Sequence, residues 1–400
     1  MEQPVVLDVE GRDVHGEGAR LRARPATRIL LPDGIPAWGV TDFATTRRLL
    51  TDPRVSRNAN RHWPAWQRGE IPANWPLRVW VEVEHMGTAY GAEHRRLRNL
   101  TSGAFTASRT AGLRPQIEQV TAELLDAVAN RDGVVDLRRE FAMPLPAEVI
   151  CRLFGVPADV RPDMLRYLAV AFDTAASPED IGAGIGAVFG LLHELIMAKR
   201  EAPGDDLTSA MIAAQADGDA FTHKEILDTL ALMVAAGYET TANLLDHAIT
   251  ALLSHPEQLA LVQNGERDWS DVVEETLRWQ GPVGYLSLRY AVEDIDLGGL
   301  VIPQGDVIII GFAGTGRDEQ RFGATAGDFD LTRPDKQHLS FGHGVHHCLG
   351  AALARLEAQV ALPAVFERFP GLALAVDPGE LRPNRSMLSN GHVELPVTLG

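Results

Sequence analysis

Apolar residues recur along most of this chain at intervals of three and four, the spacing of amphipathic helices. Long runs of this kind predict helices over residues 42–50, 116–128, 181–199, 222–253 and 349–367. Short apolar runs predict strands over residues 23–31, 295–302 and 306–312, with a turn at residues 303–306. Helix therefore dominates, and the pattern indicates a mainly α fold with small β-sheets.

The pattern shows no boundary between domains. The 400 residues contain no Gly/Ser-rich or Pro-rich linker, no low-complexity run and no internal repeat. We therefore expect residues 1–400 to form a single domain. Hydrophobic residues make up 45% of the chain and charged residues 23%, which is ordinary for a globular protein large enough to bury a bulky cofactor.

The net charge and the cysteine content indicate which partners and which cellular compartment to expect. The formal net charge of −17 argues against nucleic acid or an anionic membrane as a partner. The two cysteines, Cys151 and Cys348, provide no disulfide framework. No apolar run approaches the roughly 20 residues of a membrane span, and no basic segment followed by an apolar one begins the chain. We expect a soluble, cytoplasmic protein.

The second cysteine follows a glycine-rich turn near the end of the chain. The segment Phe341-Gly-His-Gly-Val-His-His-Cys348-Leu-Gly350 leads directly into the last predicted helix. Free backbone N–H groups at a helix N-terminus favour negative charge and stabilise a thiolate. The glycines allow the backbone to approach a large flat ligand, and Phe341 offers an aromatic wall beside the sulfur. The pattern suits a haem iron bound by sulfur.

The arrangement Phe341-x-x-Gly344-x-x-x-Cys348-x-Gly350 resembles the haem-binding signature of the cytochrome P450 family. The resemblance implies the cytochrome P450 fold and a haem b cofactor. It also implies that Cys348 is the metal ligand, as the axial thiolate of the iron, with Phe341 and Gly350 beside the cofactor.

The same residues could also form a zinc site, or Cys348 could be a buried structural cysteine. The zinc ligands would be His343, His346, His347 and Cys348. Adjacent His347 and Cys348 converge poorly on one tetrahedral ion, and the usual Cys-x-x-Cys spacing is absent. We therefore favour haem.

Residues 230–245 form a long apolar stretch with one acid and two hydroxyls near its middle. Ala236, Gly237 and Thr240 share one helical face, where small residues leave room for a flat cofactor and dioxygen. Alone, this stretch would favour an ordinary buried helix with a small-residue packing groove. It is similar to the family's oxygen-activating helix, which implies cofactor contacts at Ala236 and Gly237 and catalytic roles for Glu239 and Thr240.

Two more segments match the family. His94 and Arg98 lie one helical turn apart, so they can present two donors to one place. The resemblance assigns them to the haem propionates, with Arg289 and His346 as the remaining partners.

Glu275 and Arg278 are three residues apart and can pair on one helical face. Alone, they would be an ordinary pair on a solvated surface. The resemblance implies instead a buried structural pair that supports the core on the haem side.

The resemblance is to soluble, actinomycete-like members of the family, and it implies a haem-thiolate monooxygenase of secondary metabolism. Such an enzyme uses dioxygen and two external electrons to hydroxylate a bulky hydrophobic small molecule of the polyketide or macrolactone, steroid or fatty-acid class. The electrons come from an external ferredoxin and ferredoxin reductase, because the chain contains no flavin or reductase module. Candidates for a basic docking patch are Arg95, Arg96, His343, His347 and Arg355.

Other activities share the same cofactor. A ring-coupling oxidase uses the same oxidant, and a peroxide-driven oxidase commonly lacks the acid and alcohol pair that Glu239 and Thr240 form here. A haem-thiolate gas sensor would usually carry an effector module, and the chain shows none.

The substrate is poorly specified by the sequence. Four tryptophans precede the His94 helix, and such a cluster is more often packing than recognition. Residues 169–185 match the mobile lid of the family. The positions expected to line a largely apolar pocket are Trp80, Met233, Val283, Leu286, Met387 and Leu388.

Overall fold

The computed structural model of the protein describes residues 3–213, 215–216 and 219–400. The helices in this part of the chain begin with α1 Val14–Leu21, α2 Phe43–Thr51, α3 Ala59–His62, α4 Pro64–Gln67, α5 Val79–Glu82, α6 Gly91–Ser102, α7 Ala107–Gly112, α8 Arg114–Ala129 and α9 Pro144–Leu153. They continue with α10 Arg161–Phe172, α11 Pro178–Glu201, α12 Leu207–Ala213, α13 His223–Ser254, α14 Pro256–Gln263, α15 Trp269–Trp279, α16 Phe312–Thr315, α17 Glu319–Phe322 and α18 Ala351–Arg368.

The strands are short and form small sheets. They are β1 Val5–Val6, β2 Thr27–Leu31, β3 Ile35–Val40, β4 Val55–Ser56, β5 Val134–Asp136, β6 Gln215–Ala216, β7 Asp219–Ala220, β8 Tyr285–Ala291, β9 Ile295–Asp296, β10 Val301–Ile302, β11 Val307–Gly311, β12 Ala373–Leu374 and β13 Pro396–Thr398. The largest sheet has the order β1-β2-β3-β11-β8-β4, with β1–β2 and β3–β11 parallel and the other pairs antiparallel. Helix therefore prevails, as the sequence predicts.

Helix α13 runs through the centre of the helical body. It begins at a capping box. The Thr222 side chain accepts from the Glu225 backbone N–H, and the Glu225 side chain accepts from the Thr222 backbone N–H. Its 32 residues pack against α9, α11, α15 and α18, and many of its side chains are buried. The helix is thus positioned by contacts on several sides, and it carries the site residues between positions 233 and 240.

The predicted elements agree with the structure to within a few residues, with one exception, and several further elements were not predicted. The five predicted helices correspond to α2, α8, α11, α13 and α18, and the predicted turn separates β10 from β11. Residues 295–302 form two antiparallel two-residue strands instead of one run. Strand β8 was not predicted, because Ser287 and Arg289 interrupt its apolar pattern.

The sequence predicts no apolar run of membrane-spanning length, but helix α11 contains one. Its residues Pro178–Glu201 are long and apolar enough, by length and composition, to cross a bilayer. In the fold α11 packs against α10, α12 and α13. Gly184 lies at the contact with α10, where a β-carbon would come within 3.0 Å of the Tyr167 carbonyl oxygen. This glycine of the predicted lid therefore permits close packing of two helices.

The segment that precedes the cysteine turn is anchored by Arg278. Its guanidinium donates to both carboxylate oxygens of Glu275, at 2.8 and 2.6 Å, and neither side chain is exposed. The same guanidinium donates to the carbonyl oxygens of Gly316, Ala326 and Asp328. One buried cation thus satisfies a carboxylate and three backbone groups of the irregular segment 316–333.

We expect Arg278→Ala to lower the free energy of unfolding by about 3–5 kcal/mol, because it removes the bidentate partner of the buried Glu275 and the donor to three backbone carbonyls, leaving Glu275 only the longer pair with Arg333. Urea denaturation of the haem-loaded protein, followed by circular dichroism, measures the loss. Arg382→Ala is the matched control, because the Arg382–Glu394 pair is exposed and should contribute less than about 1 kcal/mol. Equal losses in the two variants would contradict the structural role of Arg278.

Candidate active site

The turn that carries Cys348 is closed by its own backbone. The Cys348 N–H donates to the Phe341 carbonyl oxygen at 2.8 Å, and the His347 N–H donates to the Gly344 carbonyl oxygen at 3.0 Å. Gly342 and Gly344 have φ values of 70° and 71°, in the region that favours glycine. A β-carbon on Gly344 would also lie 2.6 Å from the Leu50 carbonyl oxygen, so the turn can pack on α2 only with glycine there.

The Cys348 thiol lies on the wall of a concave surface. Protein atoms surround it on most sides, but its side chain remains exposed on the open side. Burial raises the pKa of this thiol, whereas the backbone N–H groups of Gly350 and Ala351 and the charges of Arg98 and Arg355 oppose the rise. Since α18 begins at Ala351, these N–H groups belong to the helix start that the sequence predicts.

Phe341 lies beside the turn, as expected. The Arg355 guanidinium is 4.5 Å from the centre of its ring, and the ring is packed against the largest core cluster. Gly350 approaches the sulfur, because a β-carbon there would lie 4.0 Å from Cys348 Sγ.

The two predicted histidines come together across the site. The rings of His94 on α6 and His346 in the cysteine turn are 4.1 Å apart between centroids. Burial lowers the pKa of His94 to about 4, with the charges of Arg98 and Arg57 acting in the same direction, and burial also lowers the pKa of His346. His94 Nε2 is buried without a hydrogen-bond partner. At neutral pH both rings are therefore uncharged, and His94 retains an unused polar atom.

Three arginines surround these histidines. Arg98 Nη2 donates to the His347 carbonyl oxygen at 2.7 Å, and Arg289 Nη1 donates to the Ser287 carbonyl oxygen at 2.9 Å. Arg57 Nη2 donates to the Ser287 hydroxyl. Among the described residues, no carboxylate forms an ion pair with any of these three guanidiniums. The site therefore combines an accessible thiol with several cations that lack counter-ions.

This donor set fits haem. A haem presents a metal that accepts a thiolate and two propionate carboxylates that need cationic or donor partners. The accessible Cys348 sulfur can bind the metal. The arginines without a carboxylate partner and the unpartnered His94 Nε2 can bind the propionates. The residues present thus match both ends of the group.

On α13, Ala236 is exposed and Thr240 is half-buried, and the Thr240 hydroxyl donates to the Ala236 carbonyl oxygen at 2.6 Å. Gly237 also packs against α9. A β-carbon at this position would lie 3.0 Å from Ile150 Cδ1, so the missing side chain permits close packing of the two helices.

Glu239 is buried and held on one oxygen by three donors. Its Oε1 accepts from Ser389 Oγ at 2.7 Å, from Asn384 Nδ2 at 3.3 Å and from Arg138 Nη2 at 3.3 Å. Arg138 Nη1 also donates to Asp246 Oδ2 at 3.0 Å. Two buried carboxylates on α13 therefore share one buried guanidinium.

Asp246 is in turn held by the C-terminal segment. It accepts from the His392 backbone N–H at 2.8 Å and lies 2.9 Å from His392 Nδ1. The charges of His392 and Arg138 overcome the effect of burial and lower the pKa of Asp246 below its usual range. Asp246 is therefore a carboxylate near neutral pH.

Sequence reasoning missed Arg57, Arg138 and Ser389. Arg138 lies in a short π-helical turn, Arg138–Ala142, and its two carboxylate partners are more than 100 residues away. The one available signal was the pair Glu239 and Asp246, seven residues apart and hence on one face of α13. No local pattern identifies Arg57.

The six expected pocket residues are divided among three core clusters. Met387 and Leu388 are buried in one cluster, and Trp80 and Leu286 pack against it. Val283 and Met233 are buried in two other clusters. Trp63 and Trp75 form core contacts with ring centroids 5.8 Å apart, as expected for packing.

A cavity of about 670 Å³ opens between residues 73–83, α11 and the start of α13. Its walls are mostly apolar and include Trp75, Val79, Ile181, Phe189 and Leu227. This volume is within the range of cavities that hold small organic ligands.

Comparison with known proteins places this geometry in a family. The family model described as Cytochrome P450 matches residues 191–265 and 270–391. The chain is 45% identical to the 2-hydroxy-5-methyl-1-naphthoate 7-hydroxylase of Streptomyces carzinostaticus over 99% of this chain and 97% of the relative. It is 38% identical to the 6-deoxyerythronolide B hydroxylase of Saccharopolyspora erythraea, over 92% and 91%.

A solved structure of CYP154C4 from Streptomyces sp. ATCC 11861, described as "Testerone bound", superposes with a TM-score of 0.96. It is 46% identical and covers 100% of this chain and 99% of the other. The mainly α fold with small sheets is therefore the cytochrome P450 fold, and the cofactor of this fold is haem with a cysteine thiolate on the iron. From the thiolate turn, the fold and the extent of these matches, the chain belongs to the cytochrome P450 family of haem-thiolate monooxygenases.

Proposed function

We propose that Cys348 is the axial thiolate of the haem iron and that the enzyme hydroxylates a bulky hydrophobic small molecule of the polyketide or macrolactone, steroid or fatty-acid class. The observation that carries the proposal is the accessible Cys348 thiol, which lies beside backbone N–H donors and near Arg98, a cation with no carboxylate partner among the described residues. When bound, haem supplies reductive activation of dioxygen and insertion of one oxygen atom into a C–H bond.

The chain's own residues would hold the cofactor in three ways. The Gly350 and Ala351 N–H groups stabilise negative charge on Cys348. His94, Arg98, Arg289 and His346 hold the propionates. Phe341 shields the sulfur from water on one side.

Thr240 and Glu239 would deliver protons to the oxygen site. The Thr240 hydroxyl lies at the accessible face of α13, where it could exchange its bond to the Ala236 carbonyl for one to a water molecule in the site. Glu239 is held by three donors on Oε1 and so keeps one orientation behind Thr240. A fixed acid next to a mobile hydroxyl is suited to relay of protons.

The substrate class is supported by the surroundings of the site and by the relatives. The two hydroxylases are described as acting on a naphthoate and on 6-deoxyerythronolide B, and one neighbouring structure is described as "Testerone bound". The apolar cavity beside α11 offers a path or vestibule for a ligand of that size. We assign Trp80, Met233, Val283, Leu286, Met387 and Leu388 to the wider pocket.

An external ferredoxin with its reductase would supply electrons, and we place the protein in the cytoplasm. The docking patch is smaller than the sequence suggested, because Arg96 is paired with Glu225 and Arg355 with Glu274. Arg95 is exposed, and the cysteine turn presents His347 and Val345, which is 65% exposed.

The absorption spectrum of the reduced, carbon monoxide-bound protein tests the proposed ligand. We expect a strongly red-shifted Soret band in the wild type and its loss in Cys348→His, because only a thiolate produces the shift. Cys151→Ser is the control, since Cys151 is buried in a core cluster and burial raises the pKa of its thiol to about 12. Absence of the band from folded, haem-loaded wild type would refute thiolate ligation.

We expect Thr240→Ala to reduce product formed per electron pair by about 10²-fold, with hydrogen peroxide released in its place, because a positioned proton donor is lost. Product and peroxide are measured together against cofactor consumed. Thr240→Ser retains the hydroxyl and should retain coupling, and Thr241→Ala tests a neighbouring buried hydroxyl outside the relay. Normal coupling in Thr240→Ala would exclude this role.

We expect Arg95→Glu to slow ferredoxin-supported turnover by about threefold to tenfold at low ionic strength, because it reverses a charge that attracts an acidic partner. The difference from wild type should shrink as salt is added. Haem content should stay unchanged, and Arg68→Glu reverses another exposed arginine as the control. Identical rates in all three proteins at low salt would exclude Arg95 from the docking surface.

A further inference from the structure

Strand pairing brings Arg57 beside Arg289, a residue of the proposed cofactor site. It follows β4, in which Val55 is opposite Ala291 and Ser56 is opposite Tyr290 of β8. The next antiparallel step places residue 57 opposite Arg289. Two arginines from distant parts of the chain therefore meet at the edge of the largest sheet.

The contacts of Arg57 leave its charge uncompensated. Its Nη2 atom donates to the Ser287 hydroxyl, and its Nε atom is buried without a partner. Ser287 has a left-handed backbone with φ of 56°, which is uncommon for a residue other than glycine. The strand is thus distorted at the residue that contacts both arginines.

Arg57 acts electrostatically on other residues of the proposed cofactor site. Its charge helps to lower the pKa of His94 and His346, in which burial is the largest cause, and likewise that of Arg289. Burial lowers the pKa of Arg57 itself to about 10, so it remains charged at neutral pH. It therefore lies close enough to these groups to share a ligand with them.

The balance of charge suggests what that ligand is. Arg57 and Arg289 are both enclosed and have no carboxylate partner among the described residues, and a buried charge without a counter-ion is costly. Arg98 differs in being less enclosed by protein than Arg57 and Arg289. Haem brings two carboxylates, which would supply the negative charge that these enclosed guanidiniums lack.

We propose that Arg57 is a further anion-binding residue of the cofactor site and holds a haem propionate together with Arg289. This inference rests on the proposed haem site, but it adds a residue that the family motifs do not include. Ser287 is then a positioning residue, because its hydroxyl orients Arg57 while its carbonyl oxygen orients Arg289.

The rate of haem transfer from the holoenzyme to apomyoglobin tests the proposal. We expect Arg57→Gln to lose haem about tenfold faster than wild type, because one charge-assisted hydrogen bond to a propionate is removed. Its haem reduction potential should also fall, since a nearby cation no longer favours the reduced state. Arg57→Lys should recover part of both properties.

Arg54→Gln is the matched control. Arg54 precedes β4 by one residue, but it is partly exposed and pairs with Asp52 at 2.7 Å. Its haem transfer should equal that of wild type. The carbon monoxide-bound spectrum is recorded for every variant, so that failure of thiolate ligation in wild type is distinguished from failure of the Arg57 assignment.

Unchanged haem transfer and potential in Arg57→Gln would overturn the proposal. A second ligand source is tested with 1-naphthoate and neutral 1-naphthol, which share a ring system and differ in charge. Weaker binding of naphthoate alone, with haem transfer unchanged, would assign Arg57 to a substrate carboxylate and would equally overturn propionate binding.

Discussion

The position of Cys348 depends on the buried ion pair of α15 and on the polar contacts along the same helix. Arg278 fixes the irregular segment 316–333, and the rest of α15 then holds the approach to the cysteine turn. These further contacts join Lys336 to Asp271, His338 and Arg355 to Glu274, and Ser340 to the Leu277 carbonyl oxygen. A turn rich in glycine has little stiffness of its own. The rigid helix beside it therefore determines where the sulfur lies.

Next to the cysteine turn, positive charge is gathered without carboxylate partners among the described residues. Segments from α6, the end of β4, β8 and the cysteine turn each bring a cation or an imidazole to one region. Such a cluster is unfavourable in the polypeptide alone, and the two propionates of the proposed haem would compensate its charge. In that proposal, folding of this region and cofactor binding are thermodynamically linked.

The sequence predicted those features that local spacing encodes. The Cys348 turn, the His94 and Arg98 pair and the Glu239 and Thr240 pair all lie within short segments, and the long helices follow from their periodicity. Arg57 and Arg138 could not be predicted, because their roles depend on contacts made across more than 100 residues. The contact of Gly237 with Ile150 on α9 was not predicted either, since periodicity gives the spacing of a face and not which element covers it.

The guanidinium of Arg138 bridges Glu239 and Asp246, so substitutions at these three positions depend on one another as the sequence diverges. Replacing Arg138 alone leaves two buried carboxylates without their shared cation, whereas replacing either acid leaves the other paired. The three positions are therefore epistatic, and the order in which substitutions arise matters. A lineage that loses Asp246 first keeps the Arg138–Glu239 pair, whereas one that loses Arg138 first passes through a protein with two buried carboxylates and no shared cation.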